Sequence, residues 1–225
     1  MNVVVIGING SMGKYIADVL DKRDGLNLIG GIDLNKSYNR YEIKEYDNFE
    51  NIDVIVDFSN KTSIDYLKRA LNENIKVISG TTGFSDLELN ELKKISKINK
   101  TSFIWTPNYA KGASYMYRIM RSLKKAYELD DLIETHKIGK KDSPSGTALE
   151  LSKGFNQLKV QSVRVKDSVA SHEAVFSSTG EKIKIIHEIS NKNAFIIGFL
   201  NAFDRLTNDD YICVVGLNEY FLLNE

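Results

Sequence analysis

The stretch ETHKIGKKDSPSGTAL, residues 134–149, places His136 and three lysines ahead of Pro144 and then continues with Ser145-Gly146-Thr147. An imidazole such as that of His136 gives or takes a proton near neutral pH. Lys137 and Lys140 add positive charge, and a helix beginning near Ser145 or Thr147 would present unpaired backbone N–H groups suited to a carboxylate. Together these groups fit one chemistry: the reduction of a small acid with one or more carboxylates, for which the hydride donor has to come from elsewhere in the chain. The cations would hold the anion while an acid supplies the accompanying proton. A solvated basic loop before a Ser/Thr-capped helix has the same composition, so the rest of the chain has to supply the reductant.

That partner is written into VVVIGINGSMGKYIADVL, where Gly7, Gly10 and Gly13 follow a strand-like run and open a helical pattern. A tight strand-to-helix turn needs residues without Cβ where the backbone approaches a pyrophosphate, and the helix start adds free N–H groups. The spacing G-x-x-G-x-x-G is a variant of the dinucleotide fingerprint. It is not a P-loop, because Tyr15 follows Gly13-Lys14. Asp33, at the end of the second strand-like run, stands where a carboxylate would accept the ribose hydroxyls. Asp33 argues for NADH over NADPH, whereas Lys36 and Arg40 are close enough in sequence to meet a 2′-phosphate. The strand ends SGTTGFS (79–85) and WTPNYAKG (105–112) read as further cofactor walls.

The elements needed to position these groups alternate along the first half. Apolar runs at 2–7, 26–33, 53–59, 76–83 and 102–107 are interleaved with helical patterns at 12–20, 63–73 and 87–97. Short continuous strands between amphipathic helices predict a parallel sheet covered on both faces, and 35–50 reads as a loop or minimal crossover. After about residue 108 the pattern changes to α+β. A helix is expected at 112–127, a strand through DDLIETHK, and a helix at 147–158. A hairpin then joins EAVF to EKIKIIHEI through SSTGE, with Ile183, Ile185, His187 and Ile189 on one face. A helical pattern resumes near 194. The fold class is therefore α/β followed by α+β, in two domains.

Composition excludes other classes. Thirty basic residues balance 30 acidic ones, so no overall field draws nucleic acid or an anionic membrane. No run approaches membrane-spanning length, and a cytoplasmic protein is expected. The single cysteine, Cys213, reads as a buried core thiol. His172 and His187 read as core or interface residues, and three scattered histidines give no metal-ligand spacing.

In order, these pieces resemble the dihydrodipicolinate reductase family nearly end to end. The resemblance rests on VIGINGSMG against the family's G-x-x-G-R-M-G, on DFS (57–59), SGTTGFS and PNYAKG, and above all on E-x-H-x-x-x-K-x-D-x-P-S-G-T-A-L at 134–149. Weaker matches are SVR (162–164), His172 and GEKIKIIHEISNK. It implies a Rossmann-like domain from 1–108 and 193–225, and a central α+β substrate and oligomerisation domain at 109–192 with a mostly open sheet. It also implies NAD(P)H-dependent reduction of a dihydrodipicolinate ring, no metal, and a homotetramer. Carried over residue by residue, the cofactor would touch Gly7, Ile8, Asn9, Gly10, Ser11, Met12, Asp33, Gly80, Thr81, Thr82, Thr106, Pro107, Asn108 and Tyr109. His136 and Lys140 match the proton-donor pair. Lys137, Gly146, Thr147 and Thr82 fall on the substrate side. The chain departs from the family where Lys137 replaces a second histidine, Ser11 an arginine, Lys166 and Ala170 glycines, and Lys192 an arginine.

Overall fold

The computed structural model describes residues 1–33, 49–155, 158–166 and 170–224. The expectations for residues 35–48, Lys36 and Arg40 among them, lie outside the described residues. The chain forms two units, Met1–Thr106 with Asn201–Val215, and Pro107–Leu200 with Gly216–Glu225.

The first unit is built on a six-stranded parallel sheet of order β10-β5-β4-β3-β1-β2. Its strands are β1 (Asn2–Ile6), β2 (Asn27–Ile32), β3 (Val54–Asp57), β4 (Lys76–Ser79), β5 (Phe103–Trp105) and β10 (Cys213–Val215). Val3, Val4 and Val5 are all buried, which is why β1 reads as an unbroken apolar run instead of an alternating one. Helix α1 (Ser11–Leu20) buries Gly13, Ile16, Ala17 and Leu20, the i, i+3, i+4, i+7 stripe of an amphipathic helix. Helices α2 (Ile64–Asn72) and α3 (Asp86–Asn99) put Leu67, Leu71, Leu89 and Leu92 into a core with Val4, Ile55, Val77 and Phe103. A capping box starts α3: Ser85 N–H donates to Glu88 Oε2 at 2.6 Å and Glu88 N–H donates to Ser85 Oγ at 3.2 Å. The strand order reverses between β1 and β3, the switch point at which open α/β sheets take their ligands.

The second unit carries a four-stranded mixed sheet of order β7-β6-β8-β9. Strands β6 (Glu128–Lys137) and β7 (Val160–Val165) are parallel, and β8 (Ala170–Ser178) and β9 (Glu181–Ile189) complete an antiparallel meander. The β8–β9 loop is Thr179-Gly180, with Gly180 at φ +82°, the left-handed conformation a tight hairpin requires. One sheet face packs Leu132, Ala174 and Phe176 against Met116 and Met120 of α4 (Lys111–Leu123) and Leu151 of α5 (Gly146–Ser152).

Three features depart from the sequence reading. Helix α4 stops at Leu123, and α5 stops at Ser152, where Lys153 leaves helical geometry and Gly154 takes φ +74°. Helix α6 (Asn193–Asn208) begins in the second unit and ends in the first, so contact divides the chain at residue 200 where the sequence reading divided it at 192. Cys213 is only half-buried, because β10 is an edge strand; α7 (Leu217–Leu223) then returns the chain to the second unit.

Candidate active site

The turn after β1 has the backbone of a dinucleotide cradle. Gly7 adopts φ +79°, and a Cβ there would lie 2.5 Å from Phe58 O, across the switch point. A Cβ on Gly13 would lie 2.0 Å from Gly7 O, so any side chain would force the turn and helix apart. Gly10 caps α1 without any side-chain hydrogen bond of its own, leaving the helix start open to an anion. Asp33 accepts a hydrogen bond from Asn9 N–H at 2.9 Å, which ties the end of β2 to the glycine turn. These residues fit a nicotinamide dinucleotide: the cradle is one a Cβ would fill. Ile8 and Thr106 are fully enclosed, backbone and side chain alike, so in this structure neither presents surface to a ligand. Thr81 is tied down, its hydroxyl accepting from Ser59 N–H and its carbonyl accepting from Trp105 Nε1. Gly80 packs so closely on the Phe58 ring that a Cβ would come within 2.2 Å of it. Beneath lies Asp57, which accepts from Ser59, Ser63 and Ser79 hydroxyls. Burial pushes its carboxyl above the ordinary range, against the pull of those hydroxyls.

In the second unit, the polar end of the mixed sheet assembles around one carboxylate. Glu134 is fully buried and accepts from Ser145 N–H at 3.1 and 3.0 Å, from Ser162 Oγ at 2.8 Å and from Arg164 at 3.1 Å. Burial alone would raise its pKa; the combined hydrogen bonds win and hold it below the usual carboxylate range. His136 Nδ1 stands 3.4 Å from Glu134 Oε2. The pair is close enough for ionic attraction but lies outside hydrogen-bond geometry, since Nδ1 has no hydrogen-bond partner among the described residues. Burial lowers the His136 pKa, Glu134 pulls it up, and the charges of Lys140 and Arg164 push it down again. Lys140 reaches Asp142 at 2.9 Å, and Arg164 also donates to the Asp142 carbonyl at 2.5 Å, so the 138–145 loop is fastened to β7. Ser145 caps α5 through Ala148 N–H, and Asn108 Nδ2 donates to Thr147 Oγ1 at 3.2 Å.

The structure thus brings His136, Lys140, Gly146 and Thr147 into one cluster. Lys137 is set apart: strand alternation turns it to the opposite sheet face from His136, where it is exposed. Tyr109 is a core residue, its ring edge-on to Phe199 and Tyr220 and its carbonyl accepting from Tyr220 Oη. Sequence reasoning missed Glu134 and Arg164 as the frame of the site, although both sit within the quoted motifs. It also took the histidines as scattered, whereas His172 meets His136 edge to face with ring centroids 5.7 Å apart. Glu134, His136 and His172 even offer donor atoms within 4.8 Å of one another. Both Glu134 oxygens are already taken, however, and one carries a guanidinium, so this set suits protons better than a metal ion.

Comparison with known proteins gives one answer along the chain. The family profiles described as dihydrodipicolinate reductase, N-terminus, and dihydrodipicolinate reductase, C-terminus, match residues 1–109 and 112–220. The 4-hydroxy-tetrahydrodipicolinate reductase of Alkaliphilus oremlandii is 30% identical, covering 90% of this chain and 91% of the relative. That of Wigglesworthia glossinidia brevipalpis is 27% identical over 92% of this chain and 88% of its own length. Among solved structures, the dipicolinate-bound dihydrodipicolinate reductase of Paenisporosarcina sp. TG-14 has the same fold, with a TM-score of 0.73 at 21% identity over 97% of this chain and 98% of that one. With both halves matched, the chain belongs to the dihydrodipicolinate reductase family.

Proposed function

We propose that the protein reduces 4-hydroxy-tetrahydrodipicolinate, through its dehydrated dihydrodipicolinate form, to tetrahydrodipicolinate, in the biosynthesis of diaminopimelate and lysine. The observation that carries this reading is the single carboxylate of Glu134, which links the proton carrier His136 to the start of the Ser145-Gly146-Thr147 segment. A planar dicarboxylate then finds Lys140, the N–H groups of Gly146 and Thr147, and the Thr147 hydroxyl. Asn108 fills one lone pair of the Thr147 hydroxyl and leaves its proton to donate.

Bound NAD(P)H supplies the hydride. The protein supplies the proton, from His136 Nε2. In the free protein His136 is held neutral by burial and the neighbouring cations. The two arriving carboxylates oppose those cations, so substrate binding draws a proton onto the ring and creates the acid that the reaction needs. Asp33 favours NADH. The exposed, uncovered face of the mixed sheet supports assembly as a homotetramer, and the unpaired Cys213 thiol fits a reducing cytoplasm.

The test is NADH and NADPH oxidation followed at 340 nm, with substrate generated from pyruvate and aspartate semialdehyde by the preceding synthase. Synthase-dependent oxidation is expected, falling about a hundredfold or more in His136→Ala with cofactor affinity retained. Binding of a cofactor without any oxidation would instead mark a nucleotide-binding sensor that has lost catalysis.

A further inference from the structure

His136, His172 and His187 stand in a row on one face of the mixed sheet. Register sets them there: Glu134 of β6 pairs with His172 of β8, which pairs with His187 of β9. The His136 and His172 centroids are 5.7 Å apart, and the nearly parallel rings of His172 and His187 are 6.3 Å apart. His172 is 1% exposed. Among the described residues neither of its ring nitrogens has a partner, and the same holds for Nδ1 of His136 and of His187. Unpaired buried nitrogens are costly, and four in one row demand a reason. One nitrogen of His136 and one of His172 lie within 4.8 Å, a span that a single water bridges with two hydrogen bonds.

We propose that His187 and His172 carry the proton that charges His136 when the dicarboxylate binds. The proposal rests on the reductase reading above. With substrate over Nε2, the buried Nδ1 is the nitrogen of His136 left to receive a proton, and it faces inward. A solvent proton enters at His187, whose ring edge lies against the exposed Gly112, where a Cβ would come within 2.6 Å of the ring. Because the parallel His187 and His172 rings cannot hydrogen-bond to each other directly, it passes to His172 through one water and to His136 Nδ1 through a second. The Nε2–H bond then breaks as the new C–H bond forms on the substrate ring. After product leaves, Nε2 recovers a solvent proton and Nδ1 returns its own inward, so one turnover consumes one proton. His172 accepts at one nitrogen while releasing from the other. Burial, together with any charge on His136 or His187, pushes its pKa down to about 3, so it passes protons without storing one. Glu134, Lys140, Asp142 and Arg164 are the charged groups around the His136 end of this row.

The experiment is stopped-flow mixing with dipicolinate in weakly buffered indicator solution, alongside steady-state oxidation of NADH and NADPH. His172→Phe and His187→Ala should bind dipicolinate with little change in affinity but take up the proton about a hundredfold more slowly, with kcat falling and KM nearly constant. Imidazole added to the buffer should restore His187→Ala, where a place beside Gly112 is vacated, and not His172→Phe. Fast uptake and unchanged kcat in both variants would overturn the path, as would kcat and affinity falling together while uptake stays fast. Should His172→Phe fail to fold, His187→Ala with its imidazole rescue decides alone. Wild-type protein that takes up the proton with dipicolinate yet oxidises neither cofactor would sink the reductase reading and leave the path standing.

Discussion

At the scale of residues, the site is a set of charges whose signs are fixed by burial and hydrogen bonding. Glu134 stays ionised inside the protein because three donors converge on it, and it in turn orders Arg164, Ser145 and His136. His172 has the opposite fate: it is neutral because burial and the neighbouring His136, His187 and Lys140 outweigh the pull of Glu134. That has a consequence for stability. A histidine near 6.5 when unfolded and about 3 when folded binds its proton preferentially in the unfolded chain. Its contribution is full above pH 6.5 and is lost as pH falls toward 3, amounting to about 2 kcal/mol by pH 5. His136 and His187, both also lowered by burial, act in the same sense, whereas Asp57, held above its ordinary range, acts in the opposite one. Urea titrations of the wild type and His172→Gln at pH 7 and pH 5 should therefore show a shallower acid loss in the variant, by about 2 kcal/mol. Equal losses in the two proteins would show that His172 takes no proton on unfolding.

At the scale of elements, two strand-to-helix or strand-to-loop turns hold the chemistry, and they differ in what makes them rigid. The β1–α1 turn is rigid by close approach: Gly13 has no room for a methyl group against Gly7 O. Gly13→Ala should cost about 3 kcal/mol or more and abolish NAD(P)H binding measured by fluorescence. Gly25 also has positive φ, +78°, yet a Cβ there meets nothing. Gly25→Ala should cost only about 1–2 kcal/mol of backbone strain and leave cofactor binding intact. Comparable binding losses in the two variants would remove the steric argument for the cradle. The β6–α5 loop is instead rigid through polar contacts: Arg164 and Glu134 pin Asp142 and Ser145.

At the scale of the whole molecule, helices cover one face of the mixed sheet, while the other presents Ile186 at 57% and Val163 at 39% exposure. These alternate with charged neighbours such as Lys184 and Glu173, which form an ion pair across β8 and β9. In the homotetramer proposed above, this is the face that would be buried between copies. Ile186→Lys should shift the sedimentation coefficient to a smaller species while far-ultraviolet circular dichroism stays unchanged. A wild-type protein already monomeric at micromolar concentration would exclude self-association through this face.

The sequence by itself determined the parallel sheet, the glycine cradle and the order of motifs at 134–149. Each of these depends on local pattern: continuous apolar strands, residues without Cβ at a turn, and a short segment whose members act together. It also carried His136, Lys140, Gly146 and Thr147 as a group, because they lie within a dozen positions of one another. It did not determine where α5 ends or that Tyr109 belongs to a core, since both depend on packing against distant segments. Nor could it set Lys137 apart from His136, a matter of which sheet face looks inward. The largest gap was the histidine row. Residues 136, 172 and 187 are far apart in the chain and join only through the register of three strands, a long-range pairing that the spacing of residues in a sequence does not record.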